Sequence, residues 1–136
     1  MKVIVCLDDR YGMLFNHRRQ SSDRVLCNRI LALTENATLR MNSYSAQLFS
    51  EQGLHMLVDD DFLEKANGDD YCFVENSDIT PYAEKVNAVI IYRWNRVYPS
   101  DVKFPAELFS QRWRLTSRCD FVGNSHERIT EEIYTL

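Results

Sequence analysis

Glycine is scarce in this chain, with four among 136 residues. Sites that cradle a nucleotide phosphate use glycine wherever the backbone must approach the ligand closely. Neither GxGxxG nor the Walker pattern occurs, so a glycine-built nucleotide cradle is excluded. GxSxG is missing too, and with it the strained serine elbow of the α/β-hydrolase type. The cysteines at 6, 27, 72 and 119 make no CxxC and no short pair. They read as small apolar residues in a reducing compartment. His17, His55 and His126 show neither HxH nor HxxxH spacing, so no metal site is expected. A basic excess is lacking as well: the formal charge of −4 argues against nucleic acid as a partner. No apolar run reaches the length of a membrane span, so no membrane partner is expected. Asp8 and Asp9 arrive too early for the apolar core of a signal peptide, and a cytoplasmic protein is expected.

What is present is ordinary for a globular chain. Apolar residues make up 45% and charged residues 26%, enough to bury a core without disulfide or metal support. One domain over residues 1–136 is the expectation, with no repeat, low-complexity tract or linker. Lys2 to Leu7 is a short β-branched run suited to a central strand buried on both faces. Asp8 to Gly12 ends it with turn chemistry. Ser22 or Asp23 caps a helix whose apolar residues Val25, Leu26, Ile30 and Leu33 recur at helical spacing. Brief strands are expected near Leu39–Met41, His55–Val58 and Tyr71–Glu75. Ser43 or Ser45 is placed to cap a second short helix, Asp59 to Asp61 give an acidic start to one or two helical turns over Phe62, Leu63 and Ala66, and Asp78 caps a further short helix near Pro81. Asn87 to Trp94 forms the longest strand, and Gln111–Cys119 with Glu127–Tyr134 alternates as an antiparallel pair. Together these predict an α/β domain with a mostly parallel sheet and an antiparallel end.

The order and spacing of several segments resemble dihydrofolate reductase. They are VIVCL followed by Gly12 and an acid at Asp23, then RMNSYSAQLF, YCFVEN, VIIYRW, the block Asp101 to Pro105, Trp113, and NSHERITEEIY. The resemblance touches most of the chain in patches. It implies a three-layer sandwich with a mostly parallel central sheet, helices on both faces and an antiparallel C-terminal hairpin. It also places Asp23 near the acid that grips the pterin ring and assists its protonation, and Met41 at the methionine of the Met-Gly-Arg motif.

The departures bear on activity. Asn42 and Ser43 stand where that motif has glycine and arginine, and Glu75-Asn76 stands where the Gly-Gly turn meets a pyrophosphate. A glutamate there crowds and repels phosphate. The Leu-Pro-Trp loop is replaced by Phe15 to Gln20, and the stretch from Ser50 to Tyr71 is about a strand and a loop short. NADPH binding in the usual mode is therefore not expected, and no other cofactor is indicated.

Asp23 is the candidate for chemistry, as a carboxylate that binds a heterocycle and relays a proton, or else a plain helix cap. His17, Arg18, Arg19 and Arg24 cluster beside it, either as an anion site or as a charged surface loop. Arg93 and Trp94 end the longest strand, either stacking on a planar ligand or packing in the core with the arginine paired to an acid. Asp8 and Asp9 read as a solvated turn. The expected ligand-binding set is Asp23, Arg18, Arg19, Arg93 and Met41, for a small planar or anionic molecule. The alternatives are an interaction protein, such as a homodimer, and a reductase with an atypical cofactor.

Overall fold

The computed structural model describes residues 1–49 and 55–136. The segment that opens the shortened middle, 50–54, lies outside the described residues. Among the described residues, ten strands and three α-helices follow in the order β1 (Lys2–Leu7), β2 (Gly12–Phe15), β3 (Arg18–Arg19), α1 (Arg24–Leu33), β4 (Leu39–Met41), α2 (Ser43–Ala46), β5 (Met56–Val58), α3 (Phe62–Lys65), β6 (Tyr71–Phe73), β7 (Ala88–Arg93), β8 (Val102–Lys103), β9 (Arg114–Phe121) and β10 (Ile129–Thr135). A seven-stranded sheet runs β5-β4-β6-β1-β7-β10-β9. Its first five strands are parallel, and β10 pairs antiparallel with both β7 and β9.

Two strands with unbroken runs of buried valine and isoleucine, β1 and β7, sit at the centre, paired from Lys2 opposite Ala88 to Leu7 opposite Arg93. Alternation sends their side chains to opposite faces. Val3, Val5 and Leu7 join Val89 and Ile91 in one core, closed by Phe62 and Leu63 of α3 and by Phe104 and Phe109. Ile4, Ile90 and Tyr92 join Leu26, Cys27 and Ile30 of α1 in the other. Complete burial of an aliphatic side chain such as Ile30 contributes about 1.5–3 kcal/mol. Helices thus cover both faces of a mostly parallel sheet that ends in an antiparallel hairpin, as the sequence predicts.

A second sheet of three strands, β3-β2-β8, is not visible in the sequence. Phe15 to Gln20 reads as a loop, yet it turns a tight hairpin pairing Phe15 with Arg18 and Leu14 with Arg19. The central turn residues Asn16 and His17 both adopt positive φ, 52° and 63°. That geometry matches the twist of a two-residue hairpin and is usually marked by Asn-Gly. The caps also differ in part. Asp23 caps α1, accepting from the Leu26 amide at 3.1 Å. Asn42, rather than Ser43 or Ser45, caps α2 by accepting from the Ser45 amide at 3.0 Å. Asp8 is not a solvated turn residue, because its side chain is fully buried while Asp9 is exposed. Its carboxylate accepts from the amides of Arg10, Gly12 and Tyr98 and from Gln20. Burial pushes that carboxyl up, but these four donors outweigh it and hold it below the ordinary range. Asp8 is in this way the tie between β1, the start of β2 and the loop after β7.

Candidate functional site

Asp23 lies at the N-terminus of α1 where the β9–β10 connection folds over it. Its carboxylate is 3% exposed as a residue and carries an unusually full set of partners. Oδ1 accepts from the amides of Leu26 at 3.1 Å and Asn124 at 3.2 Å. Oδ2 accepts from the Ser125 amide at 2.9 Å, approaches Ser125 Oγ at 3.1 Å, and lies 3.1 Å from His126 Nδ1. Burial raises the carboxyl pKa, but the Ser125 amide, the His126 ring and the Asn124 and Leu26 amides pull it well below the usual carboxylate range. Asp23 is thus a helix cap, as one of its two sequence readings has it, and it is buried rather than exposed.

His126 reads in the sequence as an ordinary turn residue. Here its imidazole is buried and stacks on Trp94 with ring centroids 4.5 Å apart. Its Nε2 lies 3.0 Å from Ser21 Oγ and 3.2 Å from the Tyr98 hydroxyl. Ser21, Asp23, Arg19, Glu75 and Trp94 line one narrow cavity of about 20 Å³. Ser21, Tyr98 and His126 are the site residues that sequence reasoning missed.

The remaining expected residues scatter. Arg19 lines the narrow cavity but is bound to Glu75 through two hydrogen bonds, Nε to Oε2 at 2.8 Å and Nη2 to Oε1 at 3.0 Å, while stacked over Tyr44. Arg18 is exposed on the hairpin. Met41 is fully buried in the α1-side core and packs with Phe73 and Ile4. Arg93 points to the other face of the sheet, pairs with Glu132 and covers the Tyr11 ring. It lines a separate recess with Phe104, Phe109 and Trp113. The structure therefore brings Asp23 and Arg19 to one cavity and leaves Arg18, Met41 and Arg93 away from it.

A larger cleft of about 570 Å³ opens beside the narrow cavity and shares Met13, Val74 and Glu75 with it. It runs along Asn76 to Thr80, past the carboxyl end of β6, with Leu14, Phe104 and Pro105 forming an apolar wall and His17 and Lys103 at its edge. This is the edge of an open α/β sheet where ligands gather, and its volume suits a small molecule. Among the described residues no group of three or more histidine, cysteine or acidic side chains is placed to hold a metal ion. Among them also, no helix is long and apolar enough to cross a membrane.

No family model and no curated protein matches the sequence. Solved structures do match. Dihydrofolate reductase from Enterococcus faecalis, complexed with NADP(H) and RAB-propyl, aligns with a TM-score of 0.68 over 98% of this chain and 94% of that one, at 10% identity. The fold is that of dihydrofolate reductase. Identity this low shows a shared architecture and leaves the chemistry to be argued from the site.

Within this reductase fold, the residues that replace the motif positions bind one another. Asn42 Nδ2 donates to Asn76 Oδ1 at 2.7 Å, joining two positions where the resemblance expects glycine. Ser43, in place of the arginine, gives both its amide and its hydroxyl to Asp60 Oδ1, at 3.1 and 3.0 Å. Glu75 takes Arg19 and the Ser45 hydroxyl, the latter at 2.8 Å.

Proposed function

We propose that this chain is a binding domain for a small planar molecule on a dihydrofolate reductase scaffold, and that it does not carry out NADPH-dependent reduction. The observation that carries this reading is the internal satisfaction of the groups a dinucleotide would need. The amides that open α2 already face the side chains of Asn42 and Asp60, and an anion placed there would meet the Asp60 carboxylate. A phosphate beside Glu75 would meet a second. Asp23 supports the same reading. With three amides and an imidazole on its two oxygens, it has little capacity left to grip a pterin edge, and its depressed pKa makes it a poor proton donor. The large cleft keeps an apolar wall and polar rim, the combination that holds a flat heterocycle. Lys103 and His17 stand at its edge, while Glu75 and Asp78 line the same cleft, so its charge is mixed.

Thermal-shift screening with pterins, folates, nucleotides and NADPH tests this reading. A true ligand at a hundred times its dissociation constant adds about 2.7 kcal/mol of stability. A shift with a pterin- or folate-like molecule and none with NADPH is expected. Oxidation of NADPH in the presence of dihydrofolate, or no shift with any planar compound, overturns it.

One observation favours a second reading, a homodimer that serves as an interaction module. β9 is an eight-residue edge strand exposed along most of its length, with Leu115 48% exposed. Antiparallel self-pairing about Ser117 would set Arg114 opposite Asp120 of a second copy. Light scattering across a concentration series, repeated with Asp120→Arg, distinguishes this from a monomeric binder.

A further inference from the structure

We propose that Ser21, His126 and Asp23 form a serine–histidine–aspartate relay that accepts small acyl groups from activated esters at Ser21 Oγ. Nucleophilic serine chemistry needs a base within hydrogen-bond reach of the hydroxyl and a third group that orients the base. Both requirements are met here. Ser21 Oγ is 3.0 Å from His126 Nε2, and His126 Nδ1 is 3.1 Å from Asp23 Oδ2. With the Nδ1 proton directed to the Asp23 carboxylate, Nε2 presents its lone pair to Ser21. The imidazole is held flat against Trp94, and Asp23 is locked by backbone amides from two elements, so the base is positioned without substrate. Ser21 is half-buried while its two partners are buried, the exposure order a nucleophile requires.

No GxSxG marks the site, because Ser21 sits in the short connection between β3 and α1 rather than on a strand-to-helix elbow. Such arrays are recognised by geometry rather than by sequence position. The cavity beside Ser21 measures about 20 Å³, room for about one water, so an acyl donor reaches Oγ from the solvent-accessible side of this half-buried residue. In the step, Ser21 Oγ forms a bond to the ester carbonyl carbon as its proton passes to His126 Nε2. The carbon–oxygen bond to the leaving group then breaks, and the departing alkoxide takes that proton. Water, deprotonated by the same nitrogen, later cleaves the acyl-serine and restores the hydroxyl. The Tyr98 hydroxyl, 3.2 Å from Nε2, competes for the lone pair and sets a slow rate.

The test uses the full chain with p-nitrophenyl acetate and, separately, a small alkyl fluorophosphonate, which loses fluoride to a nucleophilic serine. Intact mass followed by peptide mapping should show one adduct, on Ser21. Ser21→Ala removes one hydroxyl and should abolish it with an unchanged melting temperature. Asp23→Asn should slow labelling about tenfold or more. An unlabelled wild-type protein, or an adduct on Ser22, Ser125 or Tyr98 instead, overturns the proposal. No ligand of the larger cleft enters this assay, so its outcome is independent of the thermal-shift screen.

Discussion

Gly123 leaves open the space that the Asp23 carboxylate occupies: a Cβ at Gly123 would lie 2.3 Å from Asp23 Oδ2 and 2.9 Å from its Cγ. The constraint is one of close approach, since Gly123 does not have positive φ. The carboxylate cannot swing aside, because the amides of Leu26, Asn124 and Ser125 hold both oxygens. Gly123→Ala is therefore expected to cost about 1–3 kcal/mol through overpacking, read as a lower urea midpoint at unchanged slope. The same substitution should weaken the His126 contact and slow labelling of Ser21. A variant as stable as wild type would mean that the β9–β10 connection does not press on Asp23.

The Asp23 network also fixes a pH dependence. A carboxyl whose folded pKa is depressed contributes stability that is fully present above its unfolded pKa, near 3.9, and is lost as pH falls toward the folded value. Asp8 and Asp70 are shifted in the same direction, so their contributions fall in the same window. Unfolding free energy should fall steeply below about pH 4. Asp23→Asn should cost about 1.5–3 kcal/mol near pH 7, as expected for hydrogen bonds to a charged group, and much less near pH 2. Parallel curves for wild type and variant across that range would rule out Asp23 as a source of the acid sensitivity.

The sequence made the central strands legible because β1 and β7 are buried on both faces and carry unbroken β-branched runs. It made the C-terminal hairpin legible through alternation. The β2–β3 hairpin escaped because its turn uses Asn16-His17 where the recognisable signal is Asn-Gly. Arg93 could have been separated from the Asp23 cluster by strand period alone. It shares a face with Val89 and Ile91, whereas Trp94, on the other face, reaches His126. The contact of Ser21 with His126 had no such signal. It joins residues 105 positions apart through two connections whose paths no local pattern specifies. Asn42 and Asn76 were each legible as missing glycines, but their mutual hydrogen bond, 34 positions apart, was not.

Arg19 and Glu75 join the small sheet to the end of β6 and are partly shielded, with side chains 25% and 9% exposed. Paired geometry and low exposure raise such a bridge above the usual surface value. Glu75→Gln leaves the guanidinium with a weaker acceptor and is expected to cost about 1–3 kcal/mol. A double-mutant cycle with Arg19→Met should return a coupling of about 1 kcal/mol or more. Additive losses would show that the bridge does not hold the β2–β3 hairpin against the sheet. Glu75→Gly alone should not create NADPH affinity, since Asn42, Asn76 and Asp60 still close the neighbouring positions.

The four thiols should react at very different rates. Cys119 is exposed on β9, whereas Cys27 and Cys72 are buried. Burial, with Glu75 and Asp23 nearby, pushes the Cys27 thiol up to about 11, and burial does the same to Cys72. The Cys6 thiol is also raised, by burial first and by Glu75. The thiolate is the reactive form, and at pH 8 a thiol with a pKa near 11 is ionised to roughly one part in a thousand. Ellman's reagent should therefore titrate one thiol rapidly in the native protein and all four in guanidinium. Cys119→Ser should remove the fast phase. A second fast thiol in the native state would place Cys6, Cys27 or Cys72 within reach of solvent. If that thiol were Cys27, whose side chain lies beside Asp23 in the narrow cavity, the wall against which Ser21 is proposed to work would be open.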